Sequence, residues 1–361
     1  MRVLLTFILV VSSCLVGLGI IEGFLRYFPP ESMPTLRPNF LLGQTYIPNL
    51  HFERTAHESG RRITFKTNQW GLRDKNWNSV EMKARKPRVV VVGDSLTAAV
   101  DVAAQDRYTE RAELRLKSKY PNIFIANAGV ESLGPFAYSR YLTYLEPLIK
   151  PDVIVFALFN GNDFHDIHHM LNPQRLTWTL VNGVLQPTDS SLSIFEELVI
   201  KLKVLVGRSY AVLFLRSAAR DLANRTRNIF VSQTTLSVPT HKCLEILDQN
   251  NTTMREARGM IKAIIEPLAS RYGRRLILLQ IPHIDQIKPR FEFGESCQYE
   301  LPERWLTGIS NQLGFTLAQP LYEMRKIDQE YYWYHLNDAG HIATAESLTK
   351  AIERVCETVY C

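Results

Sequence analysis

The sequence predicts an α/β fold built on a parallel sheet, carried behind an amino-terminal helix long enough to cross a bilayer. Three observations support this. Val89 to Val92, Ile123 to Ala126 and Val153 to Leu158 are short apolar runs with helical stretches between them. Each run ends in small or polar residues, and Val3 to Leu25 is apolar almost throughout. Strands buried on both faces read as unbroken apolar runs, and strands alternating with helices form parallel sheets with right-handed crossovers. A composition of 46% hydrophobic and 22% charged residues is that of a globular protein and excludes wholesale disorder.

In chain order, Val3 to Leu25 comes first. Arg2 precedes it and Arg26 follows it, a charge bias too small to set orientation. A cleaved signal peptide and a lipoprotein signal with Cys14 lipidated are the alternatives. The apolar run continues well past Cys14, which favours an uncleaved anchor over residues 1–27. Pro29 to Pro48 carries five prolines and reads as an extended stalk. His51 to Phe65 alternates as a hairpin does, and Thr67 to Asp74 makes a polar and aromatic turn, so residues 28–86 form a stalk and flap.

In RVVVVGDSLT, Arg88 to Thr97, the valines lead directly into Gly93, Asp94 and Ser95. Ser95 then sits at the carboxyl end of a parallel strand, the edge where such sheets collect ligands. The amphipathic stretch from Gln105 to Tyr120 would offer its amino end to that site. An ordinary turn, bent by Gly93 and capped by Asp94, accounts for the same letters. After Ile123 to Ala126, the loop from Asn127 to Pro135 can turn backbone N–H groups into a cleft. Phe136 to Ile149 is a helix stopped by Pro151. The strand Val153 to Leu158 ends in Asn160, Gly161, Asn162 and Asp163. These strand ends are expected to form one cluster.

His165, Asp166, His168 and His169 match no standard ligand set, so no metal is expected there. Thr177 to Gln186 is a hairpin signal centred on Asn182 and Gly183, and Leu192 to Asn224 has helical periodicity. Residues 165–245 therefore read as an insertion that roofs the cleft or adds a packing layer. Asn250 to Tyr272 is a helix, Arg275 to Ile281 a fourth strand, Phe315 to Leu317 a short fifth, and a last helix begins at Ala339. Cys243, Cys297, Cys356 and Cys361 are an even number able to pair in an oxidising compartment, and no CxxC spacing suggests zinc. A net charge of +6 and a pI of about 9.0 suit an anionic membrane or an acidic glycan. The basic residues are scattered, so no nucleic-acid partner is expected.

Four separated pieces resemble the sequence blocks of the SGNH hydrolases, the GDSL-type esterases and lipases. They are GDSL at Gly93 to Leu96, the Asn127 loop, NGND at Asn160 to Asp163, and HLNDAGH at His335 to His341, in the family's order. The resemblance implies a three-layer α/β/α sandwich of flavodoxin-like type over residues 87–361. It also implies a serine ester hydrolase or acyltransferase that needs no cofactor or metal. A serine is a poor nucleophile until a histidine takes its proton, so Ser95 and His335 would be nucleophile and general base. The implied oxyanion donors are the backbone N–H groups of Ser95 and of the Ser132 position, with Gly134 close by, and the Asn162 amide. The substrate implied is an acyl ester of the cell envelope, an O-acylated glycan or a lipid, met by a single-pass, membrane-anchored, extracytoplasmic (periplasmic) domain. The TN..GLRD segment at Thr67 to Asp74 resembles members associated with polysaccharide acetylation.

The sequence departs from the family pattern at three places. Ser132 replaces a glycine, and its backbone donor survives if φ is negative. Asn160 replaces the first glycine of the third block, with Gly161 beside it. The family's orienting aspartate, three residues before the histidine, falls on Tyr332. His335 then works without an acid, or Asp338 and His341 supply a literal DxxH, or the site is degenerate and the chain is a binding or assembly module. The HLN ending followed by GH favours His335.

Overall fold

Five strands form one parallel sheet: β1 (Arg88–Gly93), β2 (Phe124–Gly129), β3 (Val153–Phe159), β4 (Leu276–Ile281) and β5 (Thr316–Ala318), in the order β5-β4-β3-β1-β2. The computed structural model describes residues 2–39, 41–169, 178–181, 184–187, 194–231, 244–288, 297–359 and 361. Alternation along β1 explains its four valines. Val90 and Val92 face a layer that includes helices Pro135–Ile149, Thr252–Tyr272 and Leu301–Leu313. Val89 and Val91 face Tyr108–Leu116 and Asp338–Val359. All four are fully buried, each contributing roughly 1.5–3 kcal/mol by leaving water. The result is a three-layer α/β/α sandwich.

The register aligns the carboxyl ends. Gly93 pairs with Gly129, and Phe159 with Ile281. The chain leaves β1 toward β2 on one side and returns on the other side with β3, so the switch in strand order lies between β1 and β3. Open sheets of this order bind ligands in the crevice at that switch. β2 runs on through Asn127 to Gly129, residues expected in a loop. Gly129 is required there because a Cβ would lie 2.2 Å from the Ala98 nitrogen. Only a bare backbone lets β2 pass beneath the turn that carries Ser95.

Helix Arg2–Tyr27 has a mean hydropathy of 2.6 over its most apolar window and leaves that window unburied, making it a candidate membrane span. The segment after it is not the extended stalk that its prolines suggest. It folds into an antiparallel hairpin, Leu36–Asn39 with Gly43–Tyr46, and buries Met33, Leu42, Tyr46 and Ile47 against the domain. The apolar residues between the prolines decide the outcome. A second hairpin, His51–Thr55 with Arg62–Lys66, buries Phe52, Ile63 and Phe65.

In the insertion, the strands Trp178–Val181 and Val184–Pro187 pair antiparallel. Helix Ile194–Val206 contacts the Leu36–Asn39 strand, and helix Tyr210–Val231 contacts the amino-terminal helix. The two helices of the insertion thus pack against amino-terminal segments, while its strand Val184–Pro187 contacts helix Thr252–Tyr272. Asn182 and Gly183, the turn residues expected between those strands, lie outside the described residues. Cys356 is bonded to Cys361, Cys297 is also in a disulfide, and Cys14 is an exposed free thiol.

Candidate active site

Ser95 opens a four-residue helix, Ser95–Ala98, directly after β1, where Asp94 caps the turn by accepting the Leu96 N–H at 2.9 Å. The Asp94 carboxyl is buried, and lost hydration pushes it up to about 6. The turn is held from below by the GLRD segment. The buried Arg73 guanidinium donates to the carbonyls of Ala98 (3.0 Å), Ala99 (2.6 Å) and Val102 (2.7 Å). Asn127 donates its amide to the Thr97 carbonyl at 2.8 Å and to Thr109 Oγ1 at 2.9 Å. Asp74 Oδ2 accepts the Asn127 backbone N–H at 3.2 Å.

His335 Nε2 lies 3.0 Å from Ser95 Oγ. On the other side of the ring, Nδ1 makes a close hydrogen bond to Glu58 Oε1. Glu58 Oε2 accepts the backbone N–H groups of His335 at 2.8 Å and Tyr334 at 3.2 Å. A second carboxylate stands behind the first. Asp101 Oδ2 is 3.8 Å from His335 Nδ1, and Asp101 Oδ1 accepts the Glu58 N–H at 3.4 Å. Glu58 sits in the connection between the strands of the second hairpin, in the region expected to be a flap. Sequence reasoning missed it because no spacing links it to His335, from which it is 277 residues away. The one available signal was an acidic residue in a hairpin connection upstream of the serine block.

Tyr332, at the position where the resemblance would place an acid, does structural work. Its hydroxyl donates to the Pro282 carbonyl at 2.5 Å, and its ring stacks on Phe159. Asp338 and His341 are not brought together. Asp338 Oδ2 takes a 2.6 Å hydrogen bond from Arg61. His341 is buried, accepts the Tyr108 backbone N–H at 3.3 Å through Nδ1, and stacks on the Tyr108 ring. Burial pushes its imidazole down to about 3, so it is neutral near pH 7 and engaged in packing.

Ser132 has φ of +57°, so the negative φ on which its backbone donor was made to depend is not the one found. It holds the left-handed conformation that favours the glycine it replaces. Its loop is fastened by the strand Gly43–Tyr46. Gln44 donates to the Glu131 carbonyl at 2.6 Å, and Tyr46 OH to the Glu131 carboxyl at 3.2 Å. Gly134 caps the helix Pro135–Ile149.

Asn162 lies beside Asp94, and its amide nitrogen donates to Asp166 Oδ2 at 2.8 Å. Asp163 is fully buried and its carboxyl is pushed up. Tyr138 OH is 2.7 Å from Asp163 Oδ1 and 3.1 Å from the Leu133 carbonyl. One hydroxyl hydrogen cannot serve both. The shorter contact takes it: Tyr138 OH donates to Asp163 Oδ1, whose carboxyl burial pushes up. Asn160 is buried in a net with Gln280, Gln286 and Glu303, which ties the end of β3 to β4.

Among the described residues, Glu58, Asp101 and His335 are the one group of His, Cys, Asp or Glu close enough to hold a metal ion, with ligating atoms within 4.8 Å. His165 lies apart from it, 3.8 Å from Glu245. In the arrangement found, both nitrogens of His335 already face protein partners.

No family model and no curated protein matches the chain. Among solved structures, it is similar to TesA, at 13% identity and a TM-score of 0.40, covering 74% of this chain and 99% of that one. It is also similar to an alpha/beta hydrolase from the metagenome of Lake Arreo, Spain, at 14% identity and 0.40, covering 76% and 99%. An acetylxylan esterase from Geobacillus stearothermophilus is similar at 11% identity and 0.38, covering 74% and 95%. At such scores the likeness carries no argument about what this chain does.

Proposed function

We propose that the chain is a serine ester hydrolase or acyltransferase that works through an acyl-Ser95 intermediate. The observation that carries this reading is the relay of contacts from Ser95 Oγ to His335 Nε2, 3.0 Å apart, and from His335 Nδ1 to Glu58. Ser95 Oγ attacks the acyl carbonyl while Nε2 takes its proton. The tetrahedral oxyanion is met by the backbone N–H of Ser95, by the Asn162 amide and by the N–H of Ser132, whose left-handed backbone keeps the conformation that a glycine favours there, with Gly134 shaping the loop. The carbon–oxygen bond to the alcohol then breaks, and the proton on Nε2 passes to the leaving oxygen. Water, or an acceptor hydroxyl in a transferase, attacks the acyl-serine by the same route in reverse. Glu58 orients the imidazole and stabilises its charged form without exchanging protons with substrate. One oxyanion donor is worth roughly 100- to 1,000-fold in rate.

The substrate we assign is an acyl ester of the cell envelope, on a glycan or a lipid, reached by an extracytoplasmic domain. The apolar helix Arg2–Tyr27 and the disulfides support that placement. The alternative of a non-catalytic binding module rested on Tyr332, and Glu58 now stands where an orienting acid is required. The test uses wild type beside Ser95→Ala. Wild type is expected to cleave a short-chain ester and to react with a serine-directed phosphonate, and the variant to do neither. Equal background rates and no labelling of either protein would leave the module reading. Transfer of acetyl groups from an acetylated donor to a glycan acceptor, followed by mass spectrometry, distinguishes transferase from hydrolase.

A further inference from the structure

Helix Ile194–Val206 wears its apolar face outward. Phe195, Leu198, Leu202 and Leu205 recur at the spacing of one helical stripe, and they are 73, 61, 56 and 62% exposed. A surface helix of a soluble domain turns such a stripe toward the core. Here the inward side is the partly buried one, at Val199, Ile200 and Val204, and Gly207 packs close to Pro38. Lys201 and Lys203 are exposed and flank the stripe on its two sides. The next helix, Tyr210–Val231, leaves Leu215 and Leu222 53 and 65% exposed.

We infer that the outward stripe of helix Ile194–Val206 seats the folded domain on an anionic lipid bilayer, beside the point where helix Arg2–Tyr27 enters it. Continuity selects lipid as the occupant. Glu22 accepts hydrogen bonds from Ser209 Oγ at 2.8 Å and from the Ala211 N–H at 2.9 Å. The Arg26 guanidinium lies 4.8 Å from the Tyr210 ring centroid, and its NH2 is 3.4 Å from the Arg208 carbonyl. These contacts clamp the carboxyl end of the apolar helix to the residues that directly follow the stripe. Whatever covers Ile20 and Phe24, at the clamped end of that helix, is thus adjacent to what covers Leu202 and Leu205. The exposed Lys203, on the border of the stripe, reaches anionic headgroups while its stem stays in the apolar layer.

The inference rests on reading Arg2–Tyr27 as a membrane span, and the test separates the two. The full chain, with Cys14→Ser, carries a single environment-sensitive label at Leu198→Cys or Leu202→Cys, with the exposed Leu114→Cys as reference. Phe195→Cys is a third reporter should either fail to fold. Each protein is reconstituted into vesicles of phosphatidylcholine with phosphatidylglycerol. The expected result is that all variants float with the vesicles. Labels at 198 and 202 should shift to the blue and be quenched by lipid carrying a shallow spin label, while the label at 114 stays water-like. Flotation with water-like emission at 198 and 202 overturns this inference alone, and failure to float overturns the span as well. Blue-shifted emission that spin-labelled lipid leaves unquenched means that a protein covers the face, which also overturns it.

Discussion

Glu58 grips the His335 segment at three atoms, through the ring Nδ1 and through two successive backbone N–H groups. The ring is thereby fixed in the tautomer that leaves Nε2 free to accept the Ser95 proton. Replacing the acid by an amide keeps the shape and loses the charge and the tautomer. Glu58→Gln is expected to lower kcat on the order of 10,000-fold with KM little changed. Glu58→Asp should recover part of that loss, and both variants should unfold at nearly the wild-type midpoint. Wild-type kcat in the amide variant would remove Glu58 from this role. Ser132 supplies a second prediction. A side chain at positive φ costs roughly 1–2 kcal/mol, so Ser132→Gly should retain activity and be as stable as wild type or more so. Ser132→Val places a β-branched residue in that region, and it should lose stability by denaturant titration and rate against the same ester. Ser95 and His335 were legible because each lies in a short block whose letters are all local. Glu58 was not, because its partnership exists only after a hairpin and a carboxyl-terminal loop meet in space. Tyr332 shows the same limit from the other side: its sequence position suggested an absent acid, whereas its hydroxyl is engaged by the Pro282 carbonyl.

At the scale of elements, the amino-terminal hairpins belong to the half of the molecule that holds the candidate site. One hairpin carries Glu58, the other supplies Gln44 and Tyr46 to the Glu131 loop, and the turn after them sends Arg73 under the serine helix. The prolines of residues 29–48 are a local signal and suggested an extended spacer. The burial of Tyr46 and Ile47 is a tertiary fact that local composition does not encode. The strands were legible for the opposite reason, since burial on both faces leaves an unbroken apolar run. Arg73 is a cation whose burial pushes it down to about 9, held by three carbonyls. Arg73→Met strips all three acceptors of their donor inside the protein. The expected destabilisation is at least about 3 kcal/mol, from roughly 1 or more for each acceptor left unpaired. The folded fraction should also turn over more slowly, because the Ala98 and Ala99 carbonyls released lie at the end of the helix that begins at Ser95. A Met variant with unchanged stability and rate would show that the turn holds itself.

Across the whole molecule, the sheet order brings the ends of β1, β2, β3 and β4 to one edge, and helix Asp338–Val359 locks the far layer to it through His341 and Tyr108. Tyr108 in turn bonds Thr97 Oγ1 at 2.8 Å, so packing in that layer reaches the serine helix. This makes global stability sensitive to acid. His341 falls to about 3 in the fold from an ordinary value near 6.5, so the unfolded chain binds the extra proton between those limits. Its contribution is fully present above about pH 6.5 and is lost as pH falls toward 3, to an extent on the order of a few kcal/mol. Asp74 and Glu303, pushed up by burial to about 7, and Asp94, to about 6, act in the opposite sense. Their contributions hold at low pH and fade as pH rises through those values, so the wild-type profile alone does not isolate the histidine. The difference between wild type and His341→Asn does, because the carboxyls are common to both. Asparagine can accept the Tyr108 N–H and does not titrate in this range. Denaturant unfolding is expected to show the variant less stable at pH 8, with the gap narrowing steadily toward pH 4. A gap independent of pH would mean that His341 is not held neutral by the fold, and the coupling of the outer layer to the serine helix would then have to run through packing alone.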